Sequence, residues 1–185
     1  MMTAKYKFTA IDAFEFNIKE LPAIVEDKVR FREWKKEFWE SVEQRHQGLS
    51  AANGVYCFVI KHGGNWKPWY VGKTASRGGF KTECLKDHKI GLYAKVAAKS
   101  GKAHMVFFPL MKPGGGFSGN MTGAKAAIDK LEDQLIGRAV SQNSELLNTQ
   151  GATLYKNMYV PGLMGTQLRG KRSGVARLAR EIFGE

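Results

Sequence analysis

Apolar residues recur at helical spacing between Pro22 and residue 47. Phe31, Trp34, Phe38 and Val42 fall three or four apart, Trp39 widens the stripe, and Lys, Arg and Glu fill most other positions. This predicts a long amphipathic helix opened by Pro22, its aromatic stripe packed on a core. Ahead of it, residues 5–17 alternate loosely through Tyr6, Phe8, Phe14 and Phe16, the pattern of an N-terminal strand or extended arm. The period then collapses into a continuous apolar run, Val55 to Ile60, that reads as a buried strand. His62-Gly63-Gly64-Asn65 is turn chemistry, and Pro68 to Val71 forms a second, short strand, so the pair predicts a β-hairpin.

Beyond the hairpin the spacing predicts helices over Phe80–Lys89 and Leu92–Lys99, then a strand over Met105–Leu110. A glycine-rich stretch from Lys112 to Gly123 precedes a helix over Ala124–Val140, whose stripe is Ile128, Leu131, Leu135 and Ala139, with Ile136 widening it. Ser173 caps a terminal helix carrying Val175, Leu178, Ala179, Ile182 and Phe183 on one face. The expected fold is α/β: a small, mostly antiparallel central sheet of three strands flanked by helices. Residues 1–52 form an arm and a buttressing helix, 53–149 the core, and 150–185 a basic C-terminal extension, all expected in one compact domain.

Charge narrows the functional classes. The 185 residues hold 29 Lys plus Arg against 17 Asp plus Glu, a net +12. So large a charge repels itself and is best tolerated beside a polyanion, which points to nucleic acid. Cys57 and Cys84 form no CxxC pair, and the four histidines lack metal-ligand spacing, which argues against a zinc site or disulfide scaffold. Free thiols fit a reducing, cytoplasmic setting, and neither a signal peptide nor a membrane-spanning run is present.

Three features carry candidate chemistry. At 100° per residue Glu132 falls among Ile128, Leu135 and Ile136, inside the apolar stripe. A carboxylate there is costly unless it is ion-paired or bound to a cation. Asp129 and Asp133 lie toward the polar side and read as solvated charges. If the hairpin is symmetric about Gly63, Tyr56 faces Tyr70, with Cβ atoms roughly 4.5–5.5 Å apart. Lys73, Arg77, Lys81, Lys86 and Lys89 crowd the segment after the hairpin, and Lys81 and His88, seven apart, share a helix face. Such a wall suits phosphate, or is plain basic surface. Gly114 to Gly119 matches G-x-G-x-x-G, but its glycines do not open the following helix, so a dinucleotide site is rejected in favour of a loop.

The order Gly54-Val55-Tyr56, Tyr70-Val71-Gly72, basic helix, Glu132 and Leu147-Asn148 resembles the GIY-YIG endonuclease family over about residues 53–149. The resemblance implies a metal-dependent DNA endonuclease, with DNA preferred over RNA. Glu132 would hold Mg²⁺ or Mn²⁺, and Tyr56 would act as the base. Tyr70 would orient water or the scissile phosphate. Lys73 would contact substrate, joined by Arg169, Lys171 and Arg172 near the terminal helix, and Asn148 would tether substrate or the Glu132 helix. A free phenol has a pKa of about 10, and Lys73, Arg77 and Lys81 are expected to lower that of Tyr56. The family's helix arginine is missing, so either Arg77 reaches in from the loop or Lys81 takes its place. His88 stands where some members carry a helix histidine. The alternative is a non-catalytic nucleic-acid-binding module on the same fold. With no DNA-reading domain recognisable, specificity falls to loops, termini, a homodimer or a protein partner.

Overall fold

The computed structural model describes residues 5–17, 19–20, 26–96, 98–119, 123–148, 150–157 and 182. Pro22, most of the expected terminal helix, and Arg169, Lys171 and Arg172 lie outside them. In chain order the elements are β1 (Lys7–Phe8), β2 (Ile11–Phe16), α1 (Lys28–Arg45), β3 (Gly54–His62), β4 (Asn65–Thr74), α2 (Gly79–Glu83), α3 (Asp87–Ala94), β5 (Lys102–Met111), α4 (Lys125–Gln142) and α5 (Ala152–Asn157).

All sheet pairings are antiparallel, in the order β4–β3–β5, with β1 and β2 both lying along the outer edge of β5. The sheet therefore has five strands and not three, because the N-terminal arm completes it. Phe14 and Phe16 give the arm its reason to stay. Both are buried, with ring centroids 6.4 Å (Phe14) and 6.1 Å (Phe16) from that of Phe38 on α1. Asp27 starts α1 by accepting hydrogen bonds from the amides of Val29 and Arg30, and the stripe Phe31, Phe38, Trp39 and Val42 is buried as its spacing predicts.

The sheet separates two cores, and the alternation of β3 assigns residues to each. Tyr56, Phe58 and Ile60 face α1, α2 and α3, whereas Val55, Cys57 and Val59 face Ile128, Ile136, Ala139 and Val140 of α4. Both cysteines are free and buried. The hairpin turns through Gly63 and Gly64 as expected.

The basic segment departs from expectation. In place of the expected helices over 80–89 and 92–99 there are two shorter ones, the break coming where Cys84 and Leu85 turn into the core and Lys86 takes an extended conformation, and the second ending at Ala94. The Tyr93 hydroxyl donates to the Cys84 carbonyl at 3.0 Å, satisfying a group that the break frees.

Candidate active site at the β3–β4 edge

Gly54 opens β3 with a φ of 154°, and a Cβ there would stand 2.3 Å from the Phe108 carbonyl oxygen on β5. Glycine is what lets the two strands approach. Two residues on, Tyr56 lies opposite Gly72, and Tyr70 lies opposite Phe58. The expected direct Tyr56–Tyr70 pairing is therefore corrected to a diagonal one. The register shifts between Phe58 and Val59, with Trp69 as the extra residue beside Pro68, which has no amide proton for the ladder. The tyrosines still share a face, ring centroids 6.3 Å apart. Gly72 makes that possible: a Cβ there would lie 2.4 Å from the Tyr56 hydroxyl oxygen and 2.9 Å from the Tyr70 ring.

The outer edge of β4 is closed by the segment after α4. The Asn143 side-chain amide donates to the Pro68 carbonyl at 2.7 Å, and the Leu147 amide donates to the Trp69 carbonyl at 2.8 Å. Asn148 finishes the edge. Its Oδ1 accepts from the Val71 amide at 2.9 Å and its Nδ2 donates to the Val71 carbonyl at 2.7 Å, both buried. The side chain expected to tether substrate or the Glu132 helix instead holds the strand of the second motif in place.

Glu132 is only 18% exposed at its side chain, and its charge is met by Lys73 of β4 at 2.7 Å. Lys73 also reaches Asp129 at 2.9 Å, so Asp129 belongs to this cluster and is not the solvated acid its position suggested. Lys73 is accordingly part of the carboxylate cluster rather than a free phosphate ligand. Burial would lower the Lys73 pKa, but hydrogen bonds to Glu132 and Asp129 outweigh it and keep the ammonium charged. Two hard oxygen donors one helical turn apart suit Mg²⁺, which binds few protein carboxylates and keeps several waters. Lys73 sits as a cation between them and Lys125 holds the other Asp129 oxygen at 2.7 Å, so these residues fit a divalent ion that takes over the charge balance from the two ammonium groups. Among the described residues no cluster of three or more His, Cys, Asp or Glu forms a self-contained metal cage.

The cation that meets Tyr56 is neither Arg77 nor Lys81. It is Lys89, 6% exposed, whose Nζ hydrogen-bonds the Tyr56 hydroxyl oxygen and pairs with Glu83 at 2.5 Å. Nζ also lies 5.1 Å from the Tyr56 ring centroid and 5.9 Å from that of Tyr70. Lys86 holds the other Glu83 oxygen at 2.7 Å. Burial would raise the Glu83 pKa, but the two lysines outweigh it and hold the carboxyl below its usual range.

Lys89 was legible by the test that singled out Glu132. Read on a helix starting at Asp87, it falls beside Ile90 and Tyr93, a charge within an apolar stripe. The helix break that turns Lys89 inward turns Lys81 and His88 outward. These two line a groove against α1 whose walls include neither Tyr56, Tyr70 nor Glu132. Arg77 is exposed in the loop before α2, with no ion pair among the described residues.

Burial reverses the expected titration of Tyr56. It is fully buried, and desolvation drives its pKa far above that of a free phenol, with Tyr93, Cys84, Tyr70 and Glu83 adding to the rise. Tyr70 is half-buried and is pushed up to about 12 by burial, then by the charges of Glu132 and Glu83, while the neighbouring Tyr56 hydroxyl works the other way. Lys89, Tyr56 and Tyr70 thus form a chain running from the core toward solvent, with Tyr70 at its outer end.

Compared with known proteins, the chain matches no family model, no curated protein and no solved structure. Among the described residues no helix is long and apolar enough to cross a membrane.

Proposed function

We propose that this protein is a metal-dependent DNA endonuclease of the GIY-YIG type. One observation carries the reading. Glu132 and Asn148, far downstream of the hairpin, both land on the Tyr70–Lys73 stretch, Glu132 through Lys73 and Asn148 through Val71. Two of the residues matched by motif order thus reach the β4 stretch that begins at Tyr70, the tyrosines projecting from one face of the sheet and Lys73 with Glu132 from the other, in a chain of net charge +12.

The roles follow from exposure and electrostatics. Glu132, with Asp129 beside it, would hold Mg²⁺ or Mn²⁺; bound there, the ion supplies positive charge that polarises a phosphate oxygen and favours ionisation nearby. Tyr70, the half-buried outer phenol of the pair, would accept the proton of the attacking water. Tyr56 is a positioning residue. Its buried hydroxyl takes a hydrogen bond from Lys89 and, beside Tyr70, favours the Tyr70 phenolate. Asn148 fixes the strand that carries Tyr70. This ordering departs from the sequence expectation of Tyr56 as base, because a phenol without solvent access is a poor proton acceptor at neutral pH.

The alternative, a binding module without catalysis, draws on Lys73, whose ammonium stands between the two carboxylates that would hold the ion. Incubating the purified protein with supercoiled, linear, branched and single-stranded DNA in Mg²⁺, with RNA as control, separates the two. Nicking that EDTA abolishes supports the nuclease, and binding without nicking supports the module.

A further inference from the structure

A groove of about 800 Å³ runs between α1 and the α2–α3 pair, outside the tyrosine and carboxylate cluster. Arg32, Lys35 and Lys36 line one wall, and Lys81, Lys86 and His88 line the other. The acids within it are already engaged. Glu43 accepts from the amides of Gly48 and Ser50 at 2.7 and 2.8 Å, Asp87 meets Lys35 at 3.6 Å, and Glu40 meets Lys36 at 3.7 Å. Arg32 and Lys81 have no ion pair among the described residues and are exposed.

We infer that this groove is the track for the phosphodiester backbone of duplex DNA, a proposal that rests on the nuclease reading and extends it to α1. The Arg and Lys of the two walls outnumber the acids between them, and a net positive charge spread along a groove suits a polymer carrying charge along its length better than a single small anion. Continuity with the candidate site favours DNA over another polyanion. Lys86 on the groove wall pairs with Glu83, Glu83 pairs with Lys89, and Lys89 holds Tyr56. A strand seated between the two walls is thus one ion-pair chain away from the tyrosines. Trp39 is only 4% exposed on the groove floor, so it offers no stacking platform and contact is to phosphate without base readout.

The test is fluorescence anisotropy of a labelled DNA duplex titrated with the full chain across a range of salt concentrations. Three proteins are compared: wild type, Arg32→Gln/Lys36→Gln/Lys81→Gln, and a charge-matched control, Lys7→Gln/Lys102→Gln/Lys112→Gln. All six side chains are exposed, so thermal melting should be unchanged. If each groove cation covers one phosphate, the groove variant loses about 2–3 from the slope of log affinity against log salt and binds roughly 10-fold or more weakly, while the control keeps most of the slope. Equal losses in the groove variant and the control overturn the proposal, as does a wild type that binds an acidic protein or RNA in preference to DNA. Nuclease activity reads separately. A wild type that binds through the groove but never cuts leaves the track standing and removes the nuclease, whereas cutting with an unchanged groove slope does the reverse.

Discussion

The Lys89 ammonium donates to the Tyr56 hydroxyl oxygen where neither side chain meets solvent appreciably. The pair sets the behaviour of the first motif, because Tyr56 can shed its proton only into a desolvated site. Glu83 compensates the lysine's charge on its other side.

The first prediction concerns alkali. The folded state raises the phenol pKa of Tyr70 to about 12 and those of Tyr56 and Tyr93 as well. An unfolded tyrosine ionises near 10. The stability these groups contribute is therefore complete below about pH 10 and is lost as pH rises toward 12 and beyond. Spectrophotometric titration of the native protein should show the buried phenols ionising only with alkaline unfolding. A normal titration of all six tyrosines would contradict the burial of this cluster.

Gly72→Ala places a Cβ 2.4 Å from the Tyr56 hydroxyl oxygen and 2.5 Å from its ring carbon Cζ. Something must move, and overpacking of this kind costs about 1–3 kcal/mol. Thermal or urea melting should show the loss, and Tyr56→Phe, which removes one of the two clashing atoms, should relieve only part of it. A Gly72→Ala protein as stable as wild type would mean the tyrosines are not wedged over this residue.

Asn148→Ala leaves the Val71 amide and carbonyl unpartnered at a buried strand edge. The expected cost is about 1–3 kcal/mol, with faster amide exchange at Val71 than elsewhere in β4. Asn148→Asp should rescue little, since a carboxylate cannot donate to the Val71 carbonyl. Unchanged exchange at Val71 would return Asn148 to the substrate-binding role its motif position suggested.

Much of this arrangement was legible in the chain. The α1 stripe, the Gly63-Gly64 turn, the α4 helix and the unusual position of Glu132 all follow from period and composition, because each depends on local geometry. What failed depended on local irregularity or on the partner across the fold. The turn is centred between Gly63 and Gly64 rather than on Gly63, and with one extra residue at Trp69 this moved Tyr70 from opposite Tyr56 to opposite Phe58. Two buried residues, Cys84 and Leu85, broke a helix and exchanged Lys81 and His88 for Lys89. Asp129 looked solvated only because Lys73, on a strand more than fifty residues earlier, cannot be seen from helical phase.

Tyr70→Phe should reduce cleavage more than Tyr56→Phe does. Loss of the proton acceptor is expected to cost roughly 10²–10⁴ in rate, the usual scale for one proton-transfer group. Loss of the supporting hydroxyl should cost less and should shift the alkaline limb of the pH–rate profile upward, since Tyr70 loses a neighbouring hydroxyl that favours its phenolate. The reverse order of severity would restore Tyr56 as the base.

The most direct test is the initial rate of plasmid nicking in Mg²⁺ by wild type and Glu132→Gln, measured beside DNA affinity. The substitution keeps the side-chain shape and leaves Lys73 paired with Asp129, so fold and binding should persist. Removing a ligand that anchors several kcal/mol of transition-state stabilisation should slow nicking about 10³-fold or more at unchanged affinity. A Glu132→Gln protein that nicks as fast as wild type, or a wild type that binds DNA and never nicks it, would contradict the account.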